Sequence, residues 1–390
     1  MNPLVEPGPA LGPEHIARYG RQLALPGFGE LAQRRLRAAR VLVIGAGGLG
    51  SAVAPALVGA GVGAIGIIDD DAVELSNLHR QLSHGVADIG RPKVDSLRDT
   101  LRAIDPDIVV EVHRVRATSA TLPGILASYD LLIDGSDNFA TRYLAADAAQ
   151  LAGVPLVWGS ILRFQGQVGV SGPGHGPGYR DLFAAPPDEL AEGEVLSCEI
   201  GGVLPSLCTA VGSFLATEAI KLITGIGEPL IGRVLFYDAL TARTREIAYA
   251  ADETRAPVTT LTDAEARRDT DGSDRDDAAV SAAELLRRIR AGEPVRLLDV
   301  RGPDEAELQR IPGGELLPLP ALEAGASPAP GAALIVYCAQ GPRSQRAARV
   351  LKGRGFEAAY LAGGIRAYAD LGGTVETGAF EVAAVEGARP

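Results

Sequence analysis

The sequence is poor in cysteine and has no C-x-x-C pair. Its 390 residues contain three cysteines, Cys198, Cys208 and Cys338. These thiols are too few and too scattered for a disulfide framework or a four-thiolate zinc site. A few unpaired thiols are typical of a reducing compartment, and the opening MNPLVEPGPALGPEH lacks the basic start and apolar core of a signal peptide. We therefore expect a cytoplasmic protein.

The chain also lacks an excess of positive charge. Lysine and arginine total 37 against 49 aspartate and glutamate residues, which gives a formal net charge of -12. This balance argues against nucleic acid or an anionic membrane as the main partner. The uncharged segment 41–68 is long enough to span a bilayer, but its eight glycines and its division into strand, turn, helix and strand argue against a membrane span.

Length and hydrophobic patterning predict two folded domains. Apolar runs alternate with helix-like stretches over the first 250 residues, which predicts a mainly parallel sheet covered on both faces. A polar, charged stretch then interrupts the pattern, and a second, smaller alternation of helices and strands follows. The predicted fold class is α/β: a Rossmann-like domain at 1–250, a linker at 251–279 and a small α/β domain at 280–390.

The same patterns also predict individual helices, loops and strands. Residues 15–37 are expected to form one or two amphipathic helices with Leu31 and Leu36 inward, and 174–194 to form a loop rich in glycine and proline. A long apolar helix is expected to end at Gly225, before a closing hairpin. Buried strands are predicted within 40–44, 64–71, 107–112, 130–138 and 155–161.

A glycine-rich turn directly after the first predicted strand is typical of a nucleotide site. Gly45, Gly47 and Gly50 match G-x-G-x-x-G, which provides a tight turn and backbone amides at a helix N-terminus for phosphate. Asp69 lies about twenty residues later, where a carboxylate can hold ribose hydroxyls. NAD-dependent oxidoreductases share these features, so a dinucleotide remains an alternative at this point.

The residues that follow the second strand favour a triphosphate. Asn77 and Arg80 lie in SNLHRQ, and Lys93 opens a later helix in a chain with only three lysines. Two fixed cations beside a glycine turn suit a triphosphate better than a dinucleotide. Asp137, in GSDN after a fourth strand, is a candidate Mg2+ ligand. The alternatives are solvated surface charges for Arg80 and Lys93 and a helix N-cap for Asp137.

The ordered series GAGGLG, IIDDD, SNLHRQ, GRPK and SDN resembles the adenylation domain of the MoeB/ThiF family, relatives of ubiquitin-activating enzymes. The similarity runs from RYGRQ at 18–22 to the hairpin near residue 250. It implies ATP and Mg2+ as cofactors, and as substrate the C-terminal Gly-Gly carboxylate of a ubiquitin-like sulfur-carrier protein. It also implies a homodimer in which Arg21 extends into the partner subunit's ATP site. The implied ATP-binding residues are Gly45, Gly47, Gly48, Asp69, Ser76, Asn77, Leu78, His79, Arg80, Lys93, Asp137 and Asn138, with Asp137 holding Mg2+ through ATP.

One departure from that family concerns zinc. Many members carry C-Y-R-C and a second C-x-x-C near the end of this domain, and together these bind zinc. Here the first motif is Gly178-Tyr179-Arg180-Asp181, and the second is absent. We therefore expect zinc to be absent.

The second domain contains a cysteine loop. Cys338 ends the strand ALIVYC, and AQGPRS follows before a helix. Backbone amides, a helix N-terminus and Arg343 would all favour a thiolate, whereas the alternative is a buried structural cysteine. C-x-x-G-x-R-S resembles the rhodanese active loop, as do LLDVR at 297–301 and YLAGGIRAYAD at 360–370. The resemblance implies a persulfide on Cys338. A cysteine phosphatase loop is longer than the four residues between Cys338 and Arg343.

The other two cysteines, Cys198 and Cys208, are expected to have different roles. Cys198, in SCEIGGVL, lies where sulfur-transferring members of the adenylation family have a second reactive cysteine, and from the residues alone its role stays open. Cys208 lies ten residues later in an apolar helix and is expected to pack in the core.

The whole chain resembles MoeZ-type and eukaryotic MoeB–rhodanese fusions. That resemblance implies adenylation of the carrier and then sulfur transfer to form a thiocarboxylate, with thiosulfate or a cysteine-desulfurase persulfide as donor. The alternatives are sulfur transfer to a different acceptor, a degenerate rhodanese domain, and a non-catalytic module that binds ubiquitin-like proteins. The intact loop from Cys338 to Arg343, together with Arg80, Lys93 and Asp137, argues against the last two.

Overall fold

The computed structural model describes residues 2–172, 177–184, 202–256, 258–261, 279–339 and 341–378. The chain divides into two compact units, residues 1–271 and 272–390. The division falls inside the segment 251–279, where the sequence predicts a linker. Cys198 lies outside the described residues.

Helices and strands alternate along the first unit. Two short 3-10 helices, Leu75–Asn77 and Val86–Asp88, lie in the connection after the second strand. The helices are α1 (Pro13–Leu23), α2 (Gly29–Ala38), α3 (Gly50–Ala60), α4 (Lys93–Ile104), α5 (Leu122–Leu126), α6 (Phe139–Ala152), α7 (Tyr179–Leu182) and α8 (Pro205–Thr224). The strands are β1 (Arg40–Ile44), β2 (Ala64–Ile68), β3 (Val109–His113), β4 (Leu131–Asp134), β5 (Leu156–Leu162), β6 (Gln165–Ser171), β7 (Arg233–Asp238) and β8 (Arg243–Ala248).

The strands of the first unit form one sheet in the order β3-β2-β1-β4-β5-β6-β7-β8. In this spatial order, the neighbouring strands of the run β3-β2-β1-β4-β5 pair in parallel. The neighbours in the run β5-β6-β7-β8 pair antiparallel. Chain order reverses between β1 and β4, so the loops after these strands border one crevice, where open α/β sheets bind ligands. The predicted Rossmann-like, mainly parallel fold is confirmed.

Strand β6 was not predicted from the sequence. Its glycines indicate a break in a strand pattern, but they make room for large neighbours. A Cβ on Gly166 would lie 2.4 Å from Val211, and one on Gly169 would lie 2.3 Å from the ring of Trp158. The tertiary packing therefore requires glycine in a strand that glycine alone would weaken.

Buried side chains cover both faces of this sheet. One cluster packs α3, α4 and α8 against it, and a second packs α5, α6 and α7 against the opposite face. Among the described residues, α8 is the one helix whose length and composition suit a membrane span, and 61% of its most apolar stretch is buried inside the unit. It ends at Gly225 in the left-handed conformation, as predicted, and Cys208 lies within the core.

Two local predictions are wrong. Leu31 is exposed, because α2 turns Ala32 and Leu36 towards the core instead. Within the predicted loop 174–194, the described residues 177–184 include the helix α7, where the ring of Tyr179 packs edge-on against Trp158. The remainder, 174–176 and 185–194, lies outside the described residues. Aromatic burial stabilises this short helix in a glycine- and proline-rich stretch.

The second unit is a smaller parallel sheet with helices on it, as predicted. Its strands are ordered β11-β10-β12-β13-β9, and all four neighbouring pairs are parallel. The strands are β9 (Ala279–Ser281), β10 (Arg296–Asp299), β11 (Glu315–Leu316), β12 (Leu334–Tyr337) and β13 (Ala358–Ala362). The helices are α9 (Ala282–Arg290), α10 (Pro303–Leu308), α11 (Leu319–Glu323), α12 (Pro342–Gly353) and α13 (Gly364–Asp370).

The two glycines of α3 predict opposite responses to a methyl group. A Cβ on Gly50 would lie 1.8 Å from the carbonyl oxygen of Gly45, whereas one on Gly59 would meet nothing within 4 Å. We expect Gly50→Ala to lower the free energy of unfolding by about 2 kcal/mol or more. Gly59→Ala should be neutral or raise it by up to about 1 kcal/mol. Urea unfolding of both variants measures the difference, and equal stability would contradict the close backbone contact.

Candidate active sites

The glycine turn after β1 is held by neighbours on both sides. Gly45 has a φ of 90°, and a Cβ on it would lie 3.1 Å from the carbonyl oxygen of Gly135. The next residue, Ala46, donates its N–H to Oδ2 of Asp69 at 2.7 Å, and its carbonyl oxygen lies 3.0 Å from Nε2 of His84. The turn therefore has a fixed shape before any ligand binds.

Asp69 lies at the end of β2, as predicted. Besides the bond to Ala46, its Oδ1 accepts the N–H of Asp71 at 2.8 Å. Burial raises the pKa of the Asp69 carboxyl, although the hydrogen bond from Ala46 and the charge of Lys93 oppose the shift. The structure thus gives Asp69 a role in shaping the turn, and its contact with ribose stays a prediction.

Gly47 and Gly48 have different neighbours. A Cβ on Gly47 would lie an ordinary 3.6 Å from the side chain of Gln81. A Cβ on Gly48 would lie 3.0 Å from Sγ of Cys208, in the core helix α8. Gly48 therefore lets the turn approach α8 closely. Any contact of Gly48 with a nucleotide would be made by its backbone.

Lys93 is buried at the first residue of α4. Its Nζ donates to Oδ2 of Asp71 at 2.7 Å, and its backbone N–H donates to the carbonyl oxygen of Asp71. The interpretation of Lys93 as a solvated surface charge is therefore wrong. Asp70 completes a carboxylate group with Asp69 and Asp71, whose ligand atoms lie within 4.8 Å of one another.

The SNLHRQ segment forms a compact turn. Asn77 is buried and accepts the backbone N–H of Glu74 at 3.0 Å, while Ser76 donates its hydroxyl to the Glu74 carboxylate. Arg80 is half-buried and folds back on this turn, with Nη1 2.9 Å from the carbonyl oxygen of Ser76 and 2.9 Å from Nε2 of His79. Asn77 thus stabilises the turn that carries Arg80, with half-buried Leu78 between them in the chain.

The loop after β4 presents Asp137 in an exposed position. The N-cap of α6 is Asn138, whose Oδ1 accepts the N–H of Thr141 at 2.8 Å, so the alternative of an N-cap role for Asp137 is wrong. An exposed carboxylate at this edge suits a hard cation such as Mg2+. Assignment of either residue to ATP stays a prediction.

A buried acid and a buried arginine support that loop. Asp134 accepts the N–H of Ser136 at 2.9 Å, and Arg142 donates to the carbonyl oxygen of Ser136 and to the hydroxyl of Ser160. Burial raises the pKa of Asp134, and the charge of Arg142 opposes the rise. Neither residue is among those predicted from the sequence, although a charged residue at the end of an apolar strand is a usable signal.

Polar contacts anchor helix α1, which carries Arg21. The buried Tyr19 donates its hydroxyl to Asp105 at 3.2 Å, and Gln22 donates to Gln33 and to the carbonyl oxygen of Ala60. Arg21 itself is exposed in the last turn of the helix. Its neighbours therefore fix the backbone while its side chain stays on the surface.

Cys338 is buried at the end of β12. Its Sγ accepts the N–H of Gly341 at 3.1 Å and lies 3.5 Å from Oγ of Ser344, which in turn donates to the carbonyl oxygen of Gly341. Gly364 packs against the same loop, because a Cβ on it would lie 2.5 Å from the carbonyl carbon of Ala339. The glycines of the 360–370 motif therefore support the cysteine loop.

Arg343 is paired with a carboxylate. Its Nη1 and Nη2 donate to the two oxygens of Glu305 at 2.7 and 2.8 Å. The sequence predicts a role for this arginine beside the thiol of Cys338 and does not predict its pairing with Glu305. The two side chains meet because the LLDVR motif places α10 beside the start of α12, which a linear pattern does not reveal.

Two family matches cover the two units. Residues 19–258 match the ThiF family, and residues 281–371 match the rhodanese-like domain. The chain belongs to the ThiF family. It carries the rhodanese-like domain after the ThiF region, and it is an enzyme, an adenylyltransferase and sulfurtransferase. ATP use follows for a member of this family of adenylyltransferases.

Two named relatives match nearly the whole chain, and a third matches part of it. The probable adenylyltransferase/sulfurtransferase MoeZ of Mycobacterium tuberculosis is 46% identical, over 95% of this chain and 96% of that protein. The adenylyltransferase and sulfurtransferase MOCS3-1 of Zea mays is 38% identical, over 93% of this chain and 83% of that protein. The sulfur carrier protein adenylyltransferase of Thermus thermophilus is 47% identical, over 63% of this chain and 91% of that protein.

Solved structures match the ThiF-family fold. PaaA has a TM-score of 0.52 at 24% identity, over 62% of this chain and 76% of that protein. MccB of E. coli, crystallised with succinimide, has a TM-score of 0.54 at 19% identity, over 62% of this chain and 74% of that protein. At these identities the likeness establishes the fold alone.

The residues at the zinc motif of other ThiF-family members do not fit zinc here. Arg180 donates two hydrogen bonds to Asp147, at 2.7 and 2.6 Å. Oδ1 of Asp181 accepts Nε of Arg255 at 3.0 Å and the N–H of Asp252 at 3.2 Å. A carboxylate already held by a guanidinium is a poor zinc ligand, and no thiolate lies beside it among the described residues. The ion pair between Asp181 and Arg255 therefore joins the segment 178–181 to the segment 252–255.

We expect Asp181→Asn to destabilise the first unit by roughly 1–3 kcal/mol, because it leaves a largely buried arginine without its carboxylate. Glu253→Gln, an exposed charge change in the same segment, should have little effect. Thermal unfolding before and after treatment with a metal chelator provides the measurement. One tightly bound zinc per chain by elemental analysis, or a chelator-dependent fall in Tm, would contradict the assignment.

Proposed function

We propose that this enzyme adenylates the C-terminal Gly-Gly carboxylate of a ubiquitin-like sulfur-carrier protein and then transfers persulfide sulfur from Cys338 to form a thiocarboxylate. The observation that carries the proposal is that one chain holds both a glycine-turn crevice with the buried Lys93 and a rhodanese-type cysteine loop. The name of the Thermus thermophilus relative, which is 47% identical, supports a sulfur carrier as the substrate.

The first step makes a poor acyl donor reactive. A carboxylate oxygen of the carrier attacks the α-phosphorus of ATP, the acyl–phosphate bond forms, and pyrophosphate leaves with the electron pair. Two anions must meet, so cations lower the barrier. Lys93 and Arg80 supply positive charge from one subunit, and Arg21 supplies it from a second copy in the proposed homodimer. Bound Mg2+ would neutralise phosphate charge and would be held by Asp137.

The charge of Lys93 is available without being exposed. In the absence of a nucleotide its ammonium is held by Asp71 at 2.7 Å. Asp71 is itself largely exposed, so water can solvate its carboxylate when a phosphate replaces it at the ammonium of Lys93. The amides of the glycine turn, with Ala46 fixed by Asp69, would receive the phosphates at the N-terminus of α3.

The second step moves sulfur. The outer sulfur of a Cys338 persulfide attacks the acyl carbonyl, AMP leaves, and carrier and enzyme are joined by an acyl disulfide. A second thiolate then attacks the Cys338 sulfur, which releases the thiocarboxylate and leaves a disulfide. We propose Cys198 as that thiol and a cellular dithiol as the reductant that restores both cysteines.

The adenylation step is tested by carrier-dependent exchange of labelled pyrophosphate into ATP. Asp137→Ala should reduce the exchange rate on the order of a hundredfold, because a charge-stabilising contact to the reacting phosphates is lost. Asp107→Ala, which removes an exposed carboxylate elsewhere in this unit, should leave the rate unchanged. Exchange with a carrier that lacks its terminal glycine, or wild-type exchange in Asp137→Ala, would contradict the proposal.

The transfer step is tested by substitution of the two cysteines. Cys338→Ala should abolish thiocarboxylate formation and keep pyrophosphate exchange, because the persulfide has no attachment point. Cys198→Ala should adenylate normally but accumulate the joined species when no external thiol is present. Non-reducing mass spectrometry after one turnover detects both products. If Cys198→Ala turns over at the wild-type rate and no Cys198–Cys338 disulfide forms in wild type, release depends on an outside reductant instead.

A further inference from the structure

The charge of the arginine in the cysteine loop is compensated locally. Arg343 is the second residue of α12, and both of its terminal nitrogens donate to Glu305. The side chains of Arg343 and Glu305 are 22% and 27% exposed, so solvent screens the pair only in part. A bidentate pair directs the forked donors of arginine at one carboxylate. An incoming anion therefore meets an ion pair rather than an uncompensated cation.

Both partners of this pair are charged at neutral pH. Burial opposes the charge of Arg343, but the hydrogen bonds and charge of Glu305, with a smaller contribution from the Cys338 sulfur, raise its pKa. Burial also opposes the charge of Glu305, but Arg343 lowers its pKa. The pair therefore adds no net charge beside the sulfur.

The second arginine of the rhodanese motifs is compensated in the same way. Arg301 is buried and donates through Nε and Nη2 to Asp299, and through Nη2 to the carbonyl oxygen of Gln309. Arg301 and Arg343 thus each have a carboxylate partner, Asp299 and Glu305 respectively. Neither contributes a guanidinium that is ready to hold a dianion.

The contacts that remain at the sulfur suit a single negative charge. Among the described residues of the loop, the backbone N–H of Gly341 donates to Sγ of Cys338 at 3.1 Å. The buried Nε of Arg343 finds no hydrogen-bond partner among the described residues, so one guanidinium N–H stays available. A persulfide anion carries a single negative charge, whereas the sulfonate group of thiosulfate brings three further oxygens that need donors.

The two classes of sulfur donor differ in what must leave. With a persulfide donor, the Cys338 thiolate attacks the outer sulfur, the new S–S bond forms, and a cysteine thiolate departs with the electron pair. With thiosulfate, the same attack expels sulfite, a dianion. Both reactions move one sulfane sulfur without net oxidation. Departure of a dianion requires more positive charge near Cys338 than departure of a thiolate.

We propose that Glu305 is a specificity-determining residue, which discriminates against thiosulfate and favours donors that carry the sulfur as a cysteine persulfide. The inference rests on the proposed transfer of sulfur through Cys338. Its physical content is that the Glu305 carboxylate cancels the charge on Arg343 that would otherwise attract a dianion.

The test measures sulfur transfer to cyanide by the full chain, with thiosulfate or N-acetylcysteinamide persulfide as donor. Glu305→Gln removes one negative charge and keeps one acceptor for Arg343. We expect kcat/KM for thiosulfate to rise about tenfold, mainly through KM, because the guanidinium charge is no longer cancelled. The rate with the persulfide should change less than about twofold, since no dianion leaves.

Glu307→Gln is the matched control, because it makes the same charge change on an exposed residue of the same helix, α10. It should leave both donors unchanged. Unchanged thiosulfate kinetics in Glu305→Gln, or an equal gain for both donors, would overturn the proposal. Because the assay needs neither ATP nor a carrier, its failure is distinguishable from failure of the carrier reaction.

A measurement on the wild-type chain covers the case in which Glu305→Gln does not fold. If the loop is neutral, wild-type kcat/KM for thiosulfate should change less than about twofold between about 0.05 and about 0.5 M salt. A steep fall with salt would mean that an uncompensated cation attracts thiosulfate, and it would overturn the proposal.

Discussion

The nucleotide crevice depends on two loops that meet backbone to backbone where the strand order reverses. A Cβ on Gly45 would lie 3.1 Å from the carbonyl oxygen of Gly135, and a Cβ on Gly135 would lie 3.1 Å from the amide nitrogen of Gly50. Any side chain at these points would push the β1 and β4 loops apart. Their close contact fixes the turn that Asp69 and His84 also hold, and it brings the loop of the candidate Mg2+ ligand to the same edge of the sheet.

Pairing of cations with carboxylates is the second constraint on the candidate sites. The chain is acidic overall, with a net charge of -12, yet its candidate sites require cations for phosphate and for anionic sulfur. Two of the cations found there are held by carboxylates: Lys93 by Asp71 in one unit, and Arg343 by Glu305 in the other. A buried charge without a partner would cost several kcal/mol, so pairing is what keeps these groups charged and in place.

The ion pairs Lys93–Asp71 and Arg343–Glu305 differ in how easily an incoming anion can replace the carboxylate. Asp71 is mostly exposed, so a triphosphate can compete for the ammonium of Lys93. Glu305 is largely buried and binds both forked nitrogens of Arg343, so a small anion competes poorly. The same kind of ion pair is thus replaceable where ATP is to bind and persistent where a sulfur atom is to be transferred.

The sequence by itself determined the fold class, the glycine turn, the strand that ends in Asp69 and the rhodanese loop around Cys338, because these features are contiguous and their spacing is set by backbone geometry. Only the tertiary structure decided which charges are compensated, which aspartate lacks a capping role and where glycine is required inside β6. Burial and pairing join residues far apart in the chain, such as Glu305 and Arg343, 38 positions apart. Local pattern carries no information about such contacts, because they depend on how separate elements pack.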